Sequence, residues 1–189
     1  MSTKQLHSTS IVISDLQRSL DVFEGLFVGN LTTEILFQKY PEIGVSLQEA
    51  MISKLLITTA AIFCDMDKIN GNETLSLNNL TEKNSDKISE KTKIIFHDIQ
   101  SQVSGMNLRG LRNSSIAHIS LEIAMGNKEV KSRVSVKKLR KLYDLTQKFL
   151  SILGKESGLL KENEHMSFYT PIPEDRSPEK FTQAINGTA

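Results

Sequence analysis

The chain has 189 residues, 39% of them hydrophobic and 24% charged, which suits one well-buried core and is short for two full domains. With 23 Lys and Arg against 22 Asp and Glu the net charge is +1, which excludes a global positive field for nucleic acid, so any RNA site must come from local clustering. The single cysteine, Cys64, excludes an intrachain disulfide and fits a reducing cytoplasm, where the chain is expected to work.

Residues 1–10 are polar and lack the apolar core of a secretory signal, so they are expected to form a flexible arm. Ser14 or Asp15 can cap a first helix carrying Leu16, Leu20, Phe23 and Phe27. Gly25 and Gly29 weaken it, and a break is expected before the segment 31–40. Pro41 and Gly44 punctuate the chain. A broad apolar stripe of Leu47, Met51, Leu55, Thr58 and Ile62 then predicts a central helix over 45–68. Its most apolar part, Met51 to Cys64, falls short of a membrane-spanning length, and no membrane association is expected. Asn70, Gly71 and Asn72 end this helix, and 73–86 reads as a polar loop with one short turn.

Ile88, Ile95 and Ile99 mark a helix over 86–102, followed by a break between Gly105 and Gly110 that contains Arg109. Asn113 or Ser114 can cap a fourth helix bearing Ile116, Ile119 and Ile123, closed by Gly126-Asn127. A fifth helix fits 135–153, with Val136, Leu139, Leu142, Tyr143, Thr146, Phe149, Leu150 and Leu153 buried and Lys137, Lys138, Arg140 and Lys141 outside. Pro171, Pro173 and Pro178 among polar residues predict an extended tail over 157–189. Strand patterns are scarce. The sum is an all-α fold, an antiparallel bundle of about five main helices over 11–156.

Residues 108–118, reading Leu-Arg-Gly-Leu-Arg-Asn-Ser-Ser-Ile-Ala-His, carry the chemistry. Histidine titrates nearest neutrality and can accept or donate a proton. Arginine is always charged, and its planar fork matches phosphate oxygens. RNA can be cut without a metal when its own 2′-hydroxyl attacks the adjacent phosphorus, and that reaction needs these two functions. Arg112 and His118 lie six positions apart. On one regular helix they would point about 120° apart, so a cap at Asn113 or Ser114 is expected to set Arg112 on the preceding turn. Asn113 can cap the helix, bind phosphate or orient Arg112.

Arg112, Asn113, Ala117 and His118 match an Arg-polar…Ala-His pattern that resembles the signature of the HEPN superfamily. The upstream run Ala60 to Asp65 and the segment 75–77 are similar to the abortive-infection branch, in which an aromatic-x-Asp sequence ends a central helix. The resemblance covers about residues 10–155 and leaves out the tail. It implies an all-α, usually dimeric, metal-independent endoribonuclease whose active site forms where two copies of the motif meet. It also admits members that have lost catalysis and bind RNA, a nucleotide or a partner protein. The expected partners are RNA, a second copy, and a cognate antitoxin or other protein of an anti-phage or toxin–antitoxin system.

The candidate catalytic residues are therefore Arg112, His118 and Asn113. Arg109 and the basic face Lys137, Lys138, Arg140 and Lys141 are candidates for the substrate backbone, and with Lys128, Lys131 and Arg133 that face makes the densest positive run. Asp65 and Glu122 are supporting candidates: Asp65 to orient Arg112 or His118, and Glu122, one turn after His118, to tune the imidazole. The plain alternatives are that Arg112 is structural glue on Asp65 or Glu122, that the lysines form a solvated face, and that Cys64 is a small core residue. His7, His97 and His165 have no metal-ligand spacing, and no metal or cofactor is expected.

Overall fold

The structure, a computed structural model, describes residues 3–28, 31–66, 68–113, 133–166 and 169–187. Among these residues it is predominantly helical, with eight α-helices: α1 (Thr3–Phe27), α2 (Leu31–Lys39), α3 (Pro41–Cys64), α4 (Leu77–Glu82), α5 (Glu90–Met106), α6 (Leu108–Leu111), α7 (Val136–Glu156) and α8 (Pro178–Asn186). A two-stranded hairpin, β1 (Lys68–Ile69) and β2 (Asn72–Glu73), joins α3 to α4. Asn70 and Gly71 both take positive φ at its turn, the conformation a two-residue hairpin demands.

Helix α7 is the central strut. Leu139, Leu142, Tyr143, Thr146, Phe149, Leu150 and Leu153 recur at helical spacing and are all buried. Along α1 its contacts run in reverse chain order: Arg140 meets Asp21, Asp144 meets Gln17, Gln147 meets Ser10, and Gly154 lies under Leu6. Along α5 the order also reverses. The rings of Phe96 and Phe149 lie 5.7 Å apart, and Glu156 accepts from Ser89 Oγ and Thr92 Oγ1 at 2.6 and 2.8 Å. Burial alone would raise Glu156, yet these hydrogen bonds hold it below the ordinary carboxylate range.

A second, smaller core gathers Leu26, Phe27 and Leu36, with Phe37, Leu47, Met51 and Ile185 against it. It joins α1, α2 and α3 to α8. Residues 3–10 are the first turns of α1 and not a flexible arm. Leu6 extends the stripe of Ile13, Leu16 and Leu20 and is fully buried. The polar residues that suggested an arm are small hydroxyls that sink into the helix: Thr9 Oγ1 donates to the Gln5 carbonyl, and Ser10 Oγ to Gln147 Oε1 at 3.1 Å.

Residues 157–189 are likewise not wholly extended, since they contain α8. Ser177 caps that helix through the Lys180 amide, and Pro178 sits in its first turn, where its missing N–H costs nothing. Tyr169 hydroxyl donates to Asp21 and ties the segment leading to α8 onto α1. Helix α3 begins at Pro41, earlier than expected, and ends at Cys64. At 24 residues it is the described helix long and apolar enough to cross a membrane, although Leu55, Thr59, Ala60, Ile62 and Phe63 along its second half are buried in the main core.

Two outcomes follow from this packing. A Cβ on Gly25 would lie 2.5 Å from Pro178 Cγ, closer than real contacts allow, so Gly25→Ala should dislodge α8. The expected cost is about 1–3 kcal/mol, read as faster amide exchange over 178–186 with α7 unchanged; unaltered exchange there would refute the docking. Separately, burial pushes the Tyr143 phenol up to about 12, against its bond to Thr59 at 2.5 Å. A raised acid pKa in the fold favours the neutral form, so the associated stability is full below pH 10 and is lost as pH climbs toward 12. The unaltered chain should lose about 2–3 kcal/mol more than Tyr143→Phe over that window, measured by denaturant titration at each pH.

Candidate functional site

The last carbonyls of an α-helix have no partner within it and must find donors elsewhere. At the end of α3 those donors come from the motif segment and α4. Arg109 Nη2 donates to the Cys64 carbonyl at 2.5 Å, and Asn78 Nδ2 donates to the Asp65 carbonyl at 3.0 Å. Arg112 Nη1 pairs with Asp65 Oδ1 at 2.5 Å. The two arginines are three positions apart on one helical run, so they share a face and reach the same helix end. Cations there also complement the negative end of the α3 dipole.

The Arg112 guanidinium is held on two edges. Besides Asp65, its Nε donates to Asn113 Oδ1 at 3.1 Å. The Arg112 side chain is 22% exposed and that of Asp65 14%, so the pair is largely withdrawn from water while part of the fork still faces it. Asp65 thus meets the residue it was expected to orient. Cys64 lies between the arginines and the core. Burial pushes its thiol up, against the pull of Arg109 and Arg112, so it stays a neutral, half-buried thiol.

One residue aims this segment. Asn107 ends α5 in the left-handed conformation, with φ 54°, and starts α6. The break therefore falls at Asn107, and Arg109 belongs to α6 and not to a loop between glycines. A Cβ at Gly110 would sit 2.4 Å from Asn107 Oδ1, so the short helix folds back over that side chain, and a larger residue at 110 would turn the Asn107 amide aside. Arg112, with φ −56° and ψ −50°, and Asn113 continue the winding. The Asn113 side chain accepts from Arg112, and the helix it was expected to cap lies outside the described residues. His118, Glu122, Ser114, Ala117, Lys128 and Lys131 lie outside the described residues.

Beside Arg109 opens a cleft of about 400 Å³. Phe63, Val103 and Leu108 form its apolar part, while Asn78, Gln100, Ser104 and Asn107 supply polar groups. None of these four was expected as a site residue. Their signal was present, because Gln100, Ser104 and Asn107 recur at one face of α5 together with Val103, a polar stripe on a helix judged only by its apolar side.

The basic residues of α7 stand apart from the arginines, across the C-terminal turn of α5. Lys138 and Lys141 flank a second cleft of about 310 Å³ with Ser101, Gln102, Gly105 and Met106. Lys138 Nζ also donates to the Arg133 carbonyl at 2.7 Å. Lys137 is exposed. Arg140 departs from the expected outward face. It pairs with Asp21 at 2.7 Å and Glu24 at 2.5 Å, so its charge is balanced inside the α1–α7 contact.

The Asp65–Arg112 pair should be measurable as a coupling. A double-mutant cycle of Asp65→Asn and Arg112→Gln, read by denaturant unfolding, is expected to return about 1–2 kcal/mol; a coupling near zero would show that the two side chains do not act together. No family model, curated protein or solved structure matches this chain.

Proposed function

We propose that the chain is a metal-independent endoribonuclease of the HEPN type, an antiparallel helical bundle acting as a homodimer in the cytoplasm. The observation that carries this reading is the Arg112 guanidinium. It is fixed by Asp65 and Asn113, three positions from the Arg109 that lines a cleft, and it belongs to the same motif as His118. A preorganised cation is what a developing phosphorane charge requires.

In this reading the imidazole of His118 takes the proton of the ribose 2′-hydroxyl. The 2′-oxygen–phosphorus bond forms and the phosphorus–5′-oxygen bond breaks. The 5′-oxygen leaves with a proton returned from an imidazolium, giving a 2′,3′-cyclic phosphate and a 5′-hydroxyl. Arg112 neutralises the phosphate oxygens, and Asn113 and Asp65 orient Arg112. Arg109, Lys137, Lys138 and Lys141 contribute positive charge along the RNA, and Glu122 tunes His118. A second copy supplies a second motif across a two-fold axis. The setting is an anti-phage or toxin–antitoxin system with a cognate antitoxin.

The engagement of Arg112 by a carboxylate, with a net charge of only +1, favours a second reading: a module of the same fold that binds RNA, a nucleotide or a partner protein without cutting. One assay separates the two. Purified chain is incubated with mixed RNA and a chelator, and the ends are analysed. Cyclic phosphate ends are expected from the unaltered protein, with cleavage down at least about 100-fold in His118→Ala at unchanged helicity and dimerisation. Full cleavage by that variant would defeat the assignment of His118, and binding without cleavage would establish the second reading.

A further inference from the structure

We propose that the cleft between the end of α3 and the C-terminal turn of α5 is a nucleobase site. It takes the base of the nucleotide whose phosphate Arg112 holds, and it thereby sets where RNA is cut. This rests on the ribonuclease reading above. A nucleobase has two flat apolar faces and a polar edge, and the cleft has the matching division. Phe63, Val103 and Leu108 are 6%, 9% and 1% exposed and offer an apolar floor. Gln100, Ser104 and Asn107 stand along one wall at successive turns of α5, with Asn78 facing them. Side-chain amides present a donor and an acceptor side by side, the pattern that pairs with a base edge.

The remaining fit concerns spacing and rigidity. The cleft volume, about 400 Å³, lies within the range of small-molecule sites. Arg109 borders it, and its bond to the Cys64 carbonyl fixes the guanidinium at the mouth, where such planes stack on bases. Arg112 follows one helical turn later, so base and phosphate are addressed from adjacent turns of one segment. Asn78 is anchored through its Nδ2 to the Asp65 carbonyl and through its Oδ1 to Gln100 Nε2 at 3.4 Å. The polar wall is thereby tied to the carboxylate that holds Arg112. An aliphatic ligand would use the floor and gain nothing from the polar wall. A bare phosphate would use the arginines and leave the floor wet.

The test is calorimetric titration of the full chain with the four nucleoside 3′-monophosphates and with inorganic phosphate. At least one nucleotide is expected to bind about ten-fold or more tightly than phosphate. Ser104→Trp, at an exposed α5 position, should fill the cleft and bring that nucleotide within about two-fold of phosphate, with phosphate affinity and melting temperature unchanged. Equal affinities in the unaltered chain, or undiminished nucleotide preference in Ser104→Trp, would overturn the base site. Cleavage of mixed RNA is scored in parallel. Cleavage without nucleotide preference would remove the base site and leave the ribonuclease reading standing. Nucleotide preference lost in Ser104→Trp, with no cleavage by any preparation, would keep the base site and remove the catalytic reading.

Discussion

The C-terminal end of α3 is the constraint on which the candidate site is built. A helix that ends inside a folded chain leaves carbonyls that must be met, and here a guanidinium and an amide meet them. The donor to the Cys64 carbonyl is also a cation at the mouth of a cleft. The carboxylate that follows, Asp65, holds the second cation. Structural demands and the proposed functional ones thus fall on the same three side chains, Asp65, Arg109 and Arg112. Loss of the Arg109 contact would leave a polar group wanting a partner as well as removing charge from the cleft.

Much of the architecture was legible because it rests on apolar period. Most of the buried face of α7 was readable, and so was the all-helical class; Val136 is only half-buried, while Gln147 and Gly154 join the face. The failures share a cause: polar composition was taken as a sign of exposure. Leu6 lies among Lys4, His7, Ser8 and Thr9, yet the hydroxyls at 9 and 10 bond within the helix or to Gln147, and Leu6, Thr9 and Ser10 are buried while Lys4 and His7 face out. The prolines after residue 170 were read as extended chain, but Pro178 occupies a first-turn position where proline favours a helix. Asn70-Gly71 was read as a stop, although an Asn-Gly pair between short flanks is also the strongest local signal for a tight hairpin.

The site was legible in part for a different reason. The meeting of Asp65 with Arg112 was anticipated from an Asp at a helix end upstream of the motif. The cleft was not, because its wall comes from four positions spread from 78 to 107, and only tertiary packing brings Asn78 opposite Gln100. Charge alone was a poor guide on α7. Lys137, Lys138, Arg140 and Lys141 are one basic cluster in sequence. In three dimensions Arg140 turns toward Asp21 and Glu24, while Lys138 and Lys141 border a different cleft.

The turn between α5 and α6 has a consequence for how this region can vary. Asn107 occupies the volume in which any β-carbon at position 110 would have to sit, so the two positions are not independent. A chain drifting away from this sequence can lose the glycine once the amide turns aside or position 107 becomes smaller, and a glycine at 107 would serve the left-handed turn equally well. Substitutions at these two sites should therefore be linked. A lineage that lost the glycine first would pass through a form in which the Asn107 amide is turned from its place in the cleft wall.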